Sequence, residues 1–174
     1  MDVFEAIKGR RSIRKYESKE VSEEEIRRIL DAAIHAPSAG NIQPWSFILV
    51  KSPSKRRDLA RVAYGQMFIA EAPLVIVVCA DERASGWGYG SRGRSLYCIQ
   101  DTAAAIQNIL LAAHAMGLGS CWVGAFNEDA AREVVKTPPE VRPIALIPIG
   151  HPAEKPYATG RKTLNSVVHW EKYG

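Results

Sequence analysis

Ile26, Ile29, Leu30 and Ala33 recur at intervals of three and four, which gathers them on one face of a helix. Ser22 precedes them, Glu25 follows three positions later, and Pro37 stops the run. The spacing therefore predicts an amphipathic helix over 23–35 that opens with a reciprocal cap. Asp2 and Glu5 repeat that capping pattern ahead of a short helix that Gly9 ends. Ser52 and Pro53 open another amphipathic helix over about 53–63, with proline at the first helical position, where no N–H is needed. Asn127 caps a further helix through Lys136.

Other stretches lack this period. Residues 74–80 form a short, valine-rich apolar run, the mark of a strand buried on both faces. Residues 45–50 and 143–149 read as strands, and 120–126 as a strand or extended segment. Residues 82–94, rich in Gly, Ser and Arg, read as a long loop, and 150–174 as an irregular tail. The longest predicted helix covers 95–116 and stops at Gly117. Leu96, Ile99, Ala103, Ile106, Leu110 and Ala113 lie on one side of it, but Ala104, Ala105, Leu111 and Ala112 make it apolar on nearly every side. Such a helix is buried, and in a chain this small one way to bury every face is to pack against a second subunit. Gln100, Asp101, Gln107 and Asn108 exclude a membrane span there. Helices and strands alternate, so the class is α/β or α+β, with helices packed on a central sheet.

Composition narrows the function more than the fold. A length of 174 residues implies a single domain, 1–174, because domains run to roughly 100–200 residues. The hydrophobic fraction of 47% is enough to build a core. The net charge of +4 is spread along the chain without a basic run, which argues against a nucleic-acid partner and leaves room for a local site for a small anion. No uninterrupted apolar run approaches the roughly 20 residues of a membrane span, and no basic-then-apolar leader opens the chain, so a cytoplasmic protein without a membrane partner is expected. Cys79, Cys98 and Cys121 lie far apart in apolar surroundings and read as buried thiols of a reducing compartment. His35, His114, His151 and His169 show no metal-ligand spacing, so no metal is expected and structural roles are assigned to all of them.

Two segments carry candidate chemistry. Arg10, Arg11, Ser12 and Arg14 follow the first helix; arginine forks match phosphate oxygens and a hydroxyl adds a donor, although a solvated basic turn fits the same spacing. Residues 37–45, Pro-Ser-Ala-Gly-Asn-Ile-Gln-Pro-Trp, combine turn formers with small polar groups that let a flat, polar-edged ring approach the backbone; a polar helix-to-strand loop is the plainer reading. A third segment, Gly88-Tyr-Gly-Ser-Arg-Gly93, matches the glycine pattern of dinucleotide sites. It stands well past the strand end near Ala80, and no Asp or Glu lies near position 113, so that role is rejected. Trp87 and Tyr89 in the same stretch are candidate substrate contacts.

Taken together and in order, these segments resemble the FMN-dependent nitroreductase family. The likeness rests on Arg-Arg-Ser-x-Arg near the start and Ala-Pro-Ser-x-x-Asn-x-Gln-Pro-Trp after one helix. It continues through Asp101-Thr-Ala-Ala-Ala-Ile-Gln-Asn and Gly117-Leu-Gly-Ser-Cys-Trp-Val-Gly-Ala-Phe126. Gly150-His-Pro-Ala-Glu-Lys-Pro156 and Arg161-Lys162 complete it. The resemblance implies an α+β fold in α/β/α layers, with a central, mostly antiparallel sheet and an intertwined homodimer. It implies non-covalent FMN. Arg10, Arg11, Ser12 and Arg14 would hold its phosphate, ribityl chain and pyrimidine edge, with Arg161 and Lys162 completing the phosphate site. Pro37, Ser38, Ala39 and Asn41 would come from the other subunit to line the isoalloxazine. Val123, Gly124 and Ala125 would lie along the ring's central edge with one N–H toward N5.

The implied activity takes hydride from NAD(P)H and passes electrons to a nitroaromatic, quinone or related small molecule by a ping-pong scheme. The flavin carries the chemistry, so no catalytic side chain is required. A flavin carrier or sensor without turnover, and a flavin-fragmenting or dehalogenating relative, remain alternatives. Relative to larger members, the stretches between Val50 and Leu74 and after Phe126 leave little room for the inserted helices that shape a substrate pocket.

Overall fold

The computed structural model describes residues 1–173. Its centre is a four-stranded sheet of order β1-β2-β4-β3, formed by β1 (Trp45–Val50), β2 (Leu74–Asp81), β3 (Gly119–Ser120) and β4 (Val141–Gly150). Every neighbouring pair is antiparallel. β2 is buried along nearly its whole length, as its uninterrupted apolar run requires. Its pleat sends alternate residues into two cores. Leu74, Ile76 and Val78, with Ala145, Ile147 and Ile149 of β4, pack under α2 (Glu23–Ile34) and α6 (Cys98–Ala115). Val75, Val77 and Cys79, with Leu146, face α3 (Pro53–Val62), α4 (Phe68–Glu71) and α7 (Glu128–Val135). Helix, sheet and helix layers result.

Both capping boxes form. Asp2 and Glu5 exchange hydrogen bonds at the start of α1 (Val3–Gly9), and Ser22 and Glu25 do so at the start of α2. Pro143 sits inside β4 without costing a ladder bond because the register shifts there: Val78 faces Ala145 and Cys79 faces Pro143, so Ile144 is the extra residue of a bulge.

The structure departs from the sequence pattern in two places. Residues 82–94 are not a loop. α5 (Glu82–Arg92) starts on the Asp81 side chain, which accepts from the Ala84 N–H at 2.8 Å, and breaks only at Tyr89 and Gly90. Its glycines supply close packing: a Cβ on Gly86 would sit 2.6 Å from Cγ of Arg94, and one on Gly88 would sit 2.7 Å from Cδ1 of Ile42. The long helix begins at Cys98 instead of Ser95, behind a π-helical turn over Gly93–Tyr97. The 120–126 segment is extended chain, as its pattern indicates, held to β4 by β3 and by a bridge between Val123 and Leu146. α4, four residues long with no side-chain cap, carries no sequence signal.

Candidate functional site

After α1 the chain becomes an extended arm that runs beside β3. Ser12 bridges Ser120, and the Ile13 N–H donates to the Ser120 carbonyl at 2.9 Å. The Tyr16 hydroxyl fastens the arm by donating to the Ile13 carbonyl at 2.6 Å, and burial holds that phenol protonated, its pKa raised. On the far side, Ala153 N–H donates to the Lys15 carbonyl and Glu17 N–H to the His151 carbonyl. An arm pinned on both edges presents its basic side chains from a fixed backbone. Arg11 folds onto the end of α1, donating to the carbonyls of Lys8 at 2.6 Å and Arg10 at 2.9 Å. Arg10 and Arg14 make no ion pair with any described residue; the Arg14 guanidinium lies 5.7 Å from the centre of the Phe68 ring.

The arm meets the 123–125 run through a short chain of contacts. Phe68 lies under Arg14, and Gln66, two residues earlier, donates to the Ala125 carbonyl at 3.0 Å and to the Ala63 carbonyl at 2.9 Å. Val123 spends both backbone groups on Leu146. The exposed N–H groups of Gly124 and Ala125 have no acceptor among the described residues. One edge of the molecule thus gathers cationic side chains, a hydroxyl and free backbone donors.

The 37–41 turn stands elsewhere. The buried Asp101 of α6 holds it, accepting from the Ala39 N–H at 3.1 Å, and Ser38 Oγ accepts from the Gln43 N–H at 3.0 Å. Burial raises the Asp101 carboxyl pKa, and the Ala39 N–H pulls it back down. Gly40, Asn41 and Gln43 all have φ of 56°, a run of left-handed backbone at a site with few alternatives: a Cβ on Gly40 would lie 2.6 Å from the Tyr89 hydroxyl. Asp101 is near the start of α6, whereas His114, whose Nε2 would lie 2.8 Å from a Cβ on Gly9, is near its end. Thirteen helical residues separate the two, about 20 Å. Within one chain, then, the turn and the basic arm occupy opposite ends of α6.

A cavity of about 420 Å³ opens beside the arm, where Arg10, Arg11, His114, Ser120, Glu154 and Lys155 share the lining. Arg161 and Lys162 are not among the residues that line it; among the described residues, the Arg161 guanidinium donates to Thr159 and Gly160. Trp87 stands on α5 and is 91% exposed, but Tyr89 packs edge-on against Tyr97 with centroids 5.2 Å apart. Trp87 and Tyr89 thus stand on a helix, not on the long loop that the composition suggested. Lys155, His114 and Gln66 escaped the sequence reading. Lys155 lay in a quoted motif, His114 was hidden in an apolar helix, and Gln66 had no signal at all. The three thiols are buried; burial raises the pKa of Cys98 and Cys121, and that of Cys79 to about 12. Among the described residues, no cluster of His, Cys, Asp or Glu is arranged to hold a metal ion, and no helix is long and apolar enough to cross a membrane.

This arrangement has counterparts. A model of the Nitroreductase family matches residues 7–74 and 62–151. The chain is 43% identical over 164 residues to a Methanothermobacter thermautotrophicus protein provisionally named NADH dehydrogenase/NAD(P)H nitroreductase, a match covering 90% of this chain and 80% of that one. Among solved structures, NfrA1 of B. megaterium shares 34% identity and a TM-score of 0.89, over 99% of this chain and 75% of its own. The NADPH:FMN oxidoreductase of Vibrio harveyi, solved with NAD+, shares 28% identity and a TM-score of 0.91, over 98% and 77%. The family match runs through the arm, the sheet and the 117–126 segment alike, and the fold superposes along nearly the whole length: this chain belongs to the nitroreductase family.

Proposed function

We propose that the protein is a homodimeric, FMN-dependent NAD(P)H oxidoreductase. The observation that carries the reading is the shared edge of the arm and the 123–125 run, where uncommitted arginines stand beside free N–H groups. That donor set suits FMN, whose phosphate needs cations and hydroxyls and whose ring edge needs backbone donors. Arg10, Arg11 and Ser12 would neutralise and orient the phosphate, and Arg14 would face the ribityl and pyrimidine side. Gly124 and Ala125 would supply ring-edge donors, with Gln66 steadying Ala125 from behind. Arg161 and Lys162 would join the phosphate site through movement of the 157–162 segment. The Pro37, Ser38, Ala39 and Asn41 turn would line the ring of the partner's flavin, which its distance from the arm of its own chain favours.

Bound FMN supplies the redox chemistry, taking hydride from NAD(P)H and returning electrons to a nitroaromatic, quinone or related acceptor. The protein's own part is to fix the flavin, to place positive charge at its phosphate and pyrimidine ends, and to leave one face open. Donor and acceptor then use the same space in turn, which makes the kinetics ping-pong. The Vibrio harveyi relative is named for its action on FMN, so free FMN belongs in the acceptor panel beside nitrofurazone and menadione. Heat-released cofactor identifies the ligand: FMN on chromatography supports the reading. FAD, or no flavin after reconstitution with excess FMN, overturns it. Parallel double-reciprocal lines support the shared face, and intersecting lines exclude it.

A further inference from the structure

The cavity beside the arm has a member that the motif does not include. His114, in the last turn of α6, lines it together with Arg10 and Arg11. Its ring lies against the backbone at Gly9, so it faces the arm at the point where α1 gives way to the arginines. We propose that His114 is a phosphate-recognition residue, protonated on FMN binding and donating to the phosphate alongside Arg10, so that the site selects FMN over flavins that lack the phosphate. This rests on the FMN reading above.

The charges around the ring explain why it should respond to an anion. Arg10 and Arg11 face it from the arm. Glu154 and Lys155 line the same cavity from the segment after β4, and Met1 lines it as well. Burial, then Arg10, then Arg11 lower the imidazole pKa, so the ring is held neutral while the cavity contains no anion. A phosphate reverses the balance: it screens the guanidiniums from the ring and adds an acceptor. The C-terminal end of α6 also favours a cation, an effect the arginines outweigh until the anion is present. The pKa of His114 therefore lies below the ordinary value in the free protein and above it in the complex, and binding near pH 6.5 takes up a proton. Riboflavin, with the same ring and no phosphate, would cause no uptake.

Calorimetric titration of the dimer with FMN and with riboflavin, near pH 6.5 in buffers of different ionisation enthalpy, tests this. Wild type is expected to take up protons with FMN and none with riboflavin. His114→Gln, which keeps a donor of similar size but cannot titrate, is expected to take up roughly half a proton less per site with FMN. It should bind FMN about tenfold or more weakly, with riboflavin affinity unchanged. Because the FMN phosphate itself tends to release protons as it binds in its doubly charged form, the difference in uptake between wild type and variant is the reading, and His114→Asn supplies it should His114→Gln fail to fold. Equal proton counts and equal FMN-to-riboflavin ratios in the two proteins overturn the role of His114 and leave the FMN reading standing. A wild-type protein that binds neither flavin overturns both.

Discussion

Arg10 and Arg14 each hold a guanidinium that pairs with no carboxylate among the described residues, on an arm whose backbone is bonded to Ser120 on one side and to His151 and Ala153 on the other. Uncommitted cations on a fixed backbone are what the proposed phosphate site requires. Arg10→Ala is accordingly expected to weaken FMN binding by about 1.5–3 kcal/mol, the scale of a hydrogen bond to a charged group, with the circular dichroism spectrum unchanged. Quenching of flavin fluorescence measures it; wild-type affinity in the variant would remove Arg10 from the phosphate site. The residues of the two motifs were legible because a fixed order of arginines, hydroxyls and turn formers survives in sequence. Gln66 was not. Its importance comes from reaching 59 positions along the chain to the Ala125 carbonyl, a contact that only tertiary structure creates.

Among the elements, helix starts were the most readable because capping is local chemistry. Ser22 Oγ accepts from the Glu25 N–H while the Glu25 carboxylate accepts from the Ser22 N–H and hydroxyl, and those last two bonds depress the Glu25 pKa. A depressed carboxylate contributes stability above its unfolded pKa and loses it as pH falls through the folded one. Ser22→Ala should therefore cost about 0.5–2 kcal/mol in urea denaturation at neutral pH, and less in acid, where Glu25 is protonated in both proteins. An equal loss at both pH values would show that the Ser22 hydroxyl gains nothing from its bond to the Glu25 carboxylate. α5 was illegible for the opposite reason. Its glycines disfavour a helix locally, yet they let Arg94 and Ile42 pack close at Gly86 and Gly88, so tertiary contact overrides propensity. The helix gives Trp87 a defined place with its ring in solvent, where, on the proposed function, it would meet a flat acceptor. Trp87→Ala is expected to lower kcat/KM for nitroaromatics or quinones while FMN content stays near wild type. Unchanged acceptor kinetics, or a loss confined to thermal stability, would mean that the ring only shields the helix.

At the scale of the whole molecule, a single chain leaves much apolar surface in water. Phe4 and Ile7 on α1 are more than half exposed, Trp170 in the tail is 86% exposed, and Ile99, Ala103, Leu111 and Ala112 on α6 are only partly covered. A two-fold partner would cover such surfaces and bring each 37–41 turn to the other chain's arm. The expected interface exceeds the ~2,000 Å² at which obligate pairs begin. Light scattering should then find a dimer with two flavins at micromolar concentration, and a flavin-loaded monomer would contradict it. The layered fold was readable from sequence because β2 is apolar without interruption and α6 is apolar all round, and only a sheet covered on both sides accommodates both. The order of the strands was not, since nothing in a strand's own pattern names its neighbours. Activity has one direct test, anaerobic addition of NADH or NADPH to the FMN-loaded protein while its visible flavin absorption is followed. The account predicts stoichiometric bleaching by at least one donor and full recovery on adding menadione, nitrofurazone or free FMN; bound flavin that stays oxidised with both donors would contradict it and leave a carrier in place of an enzyme.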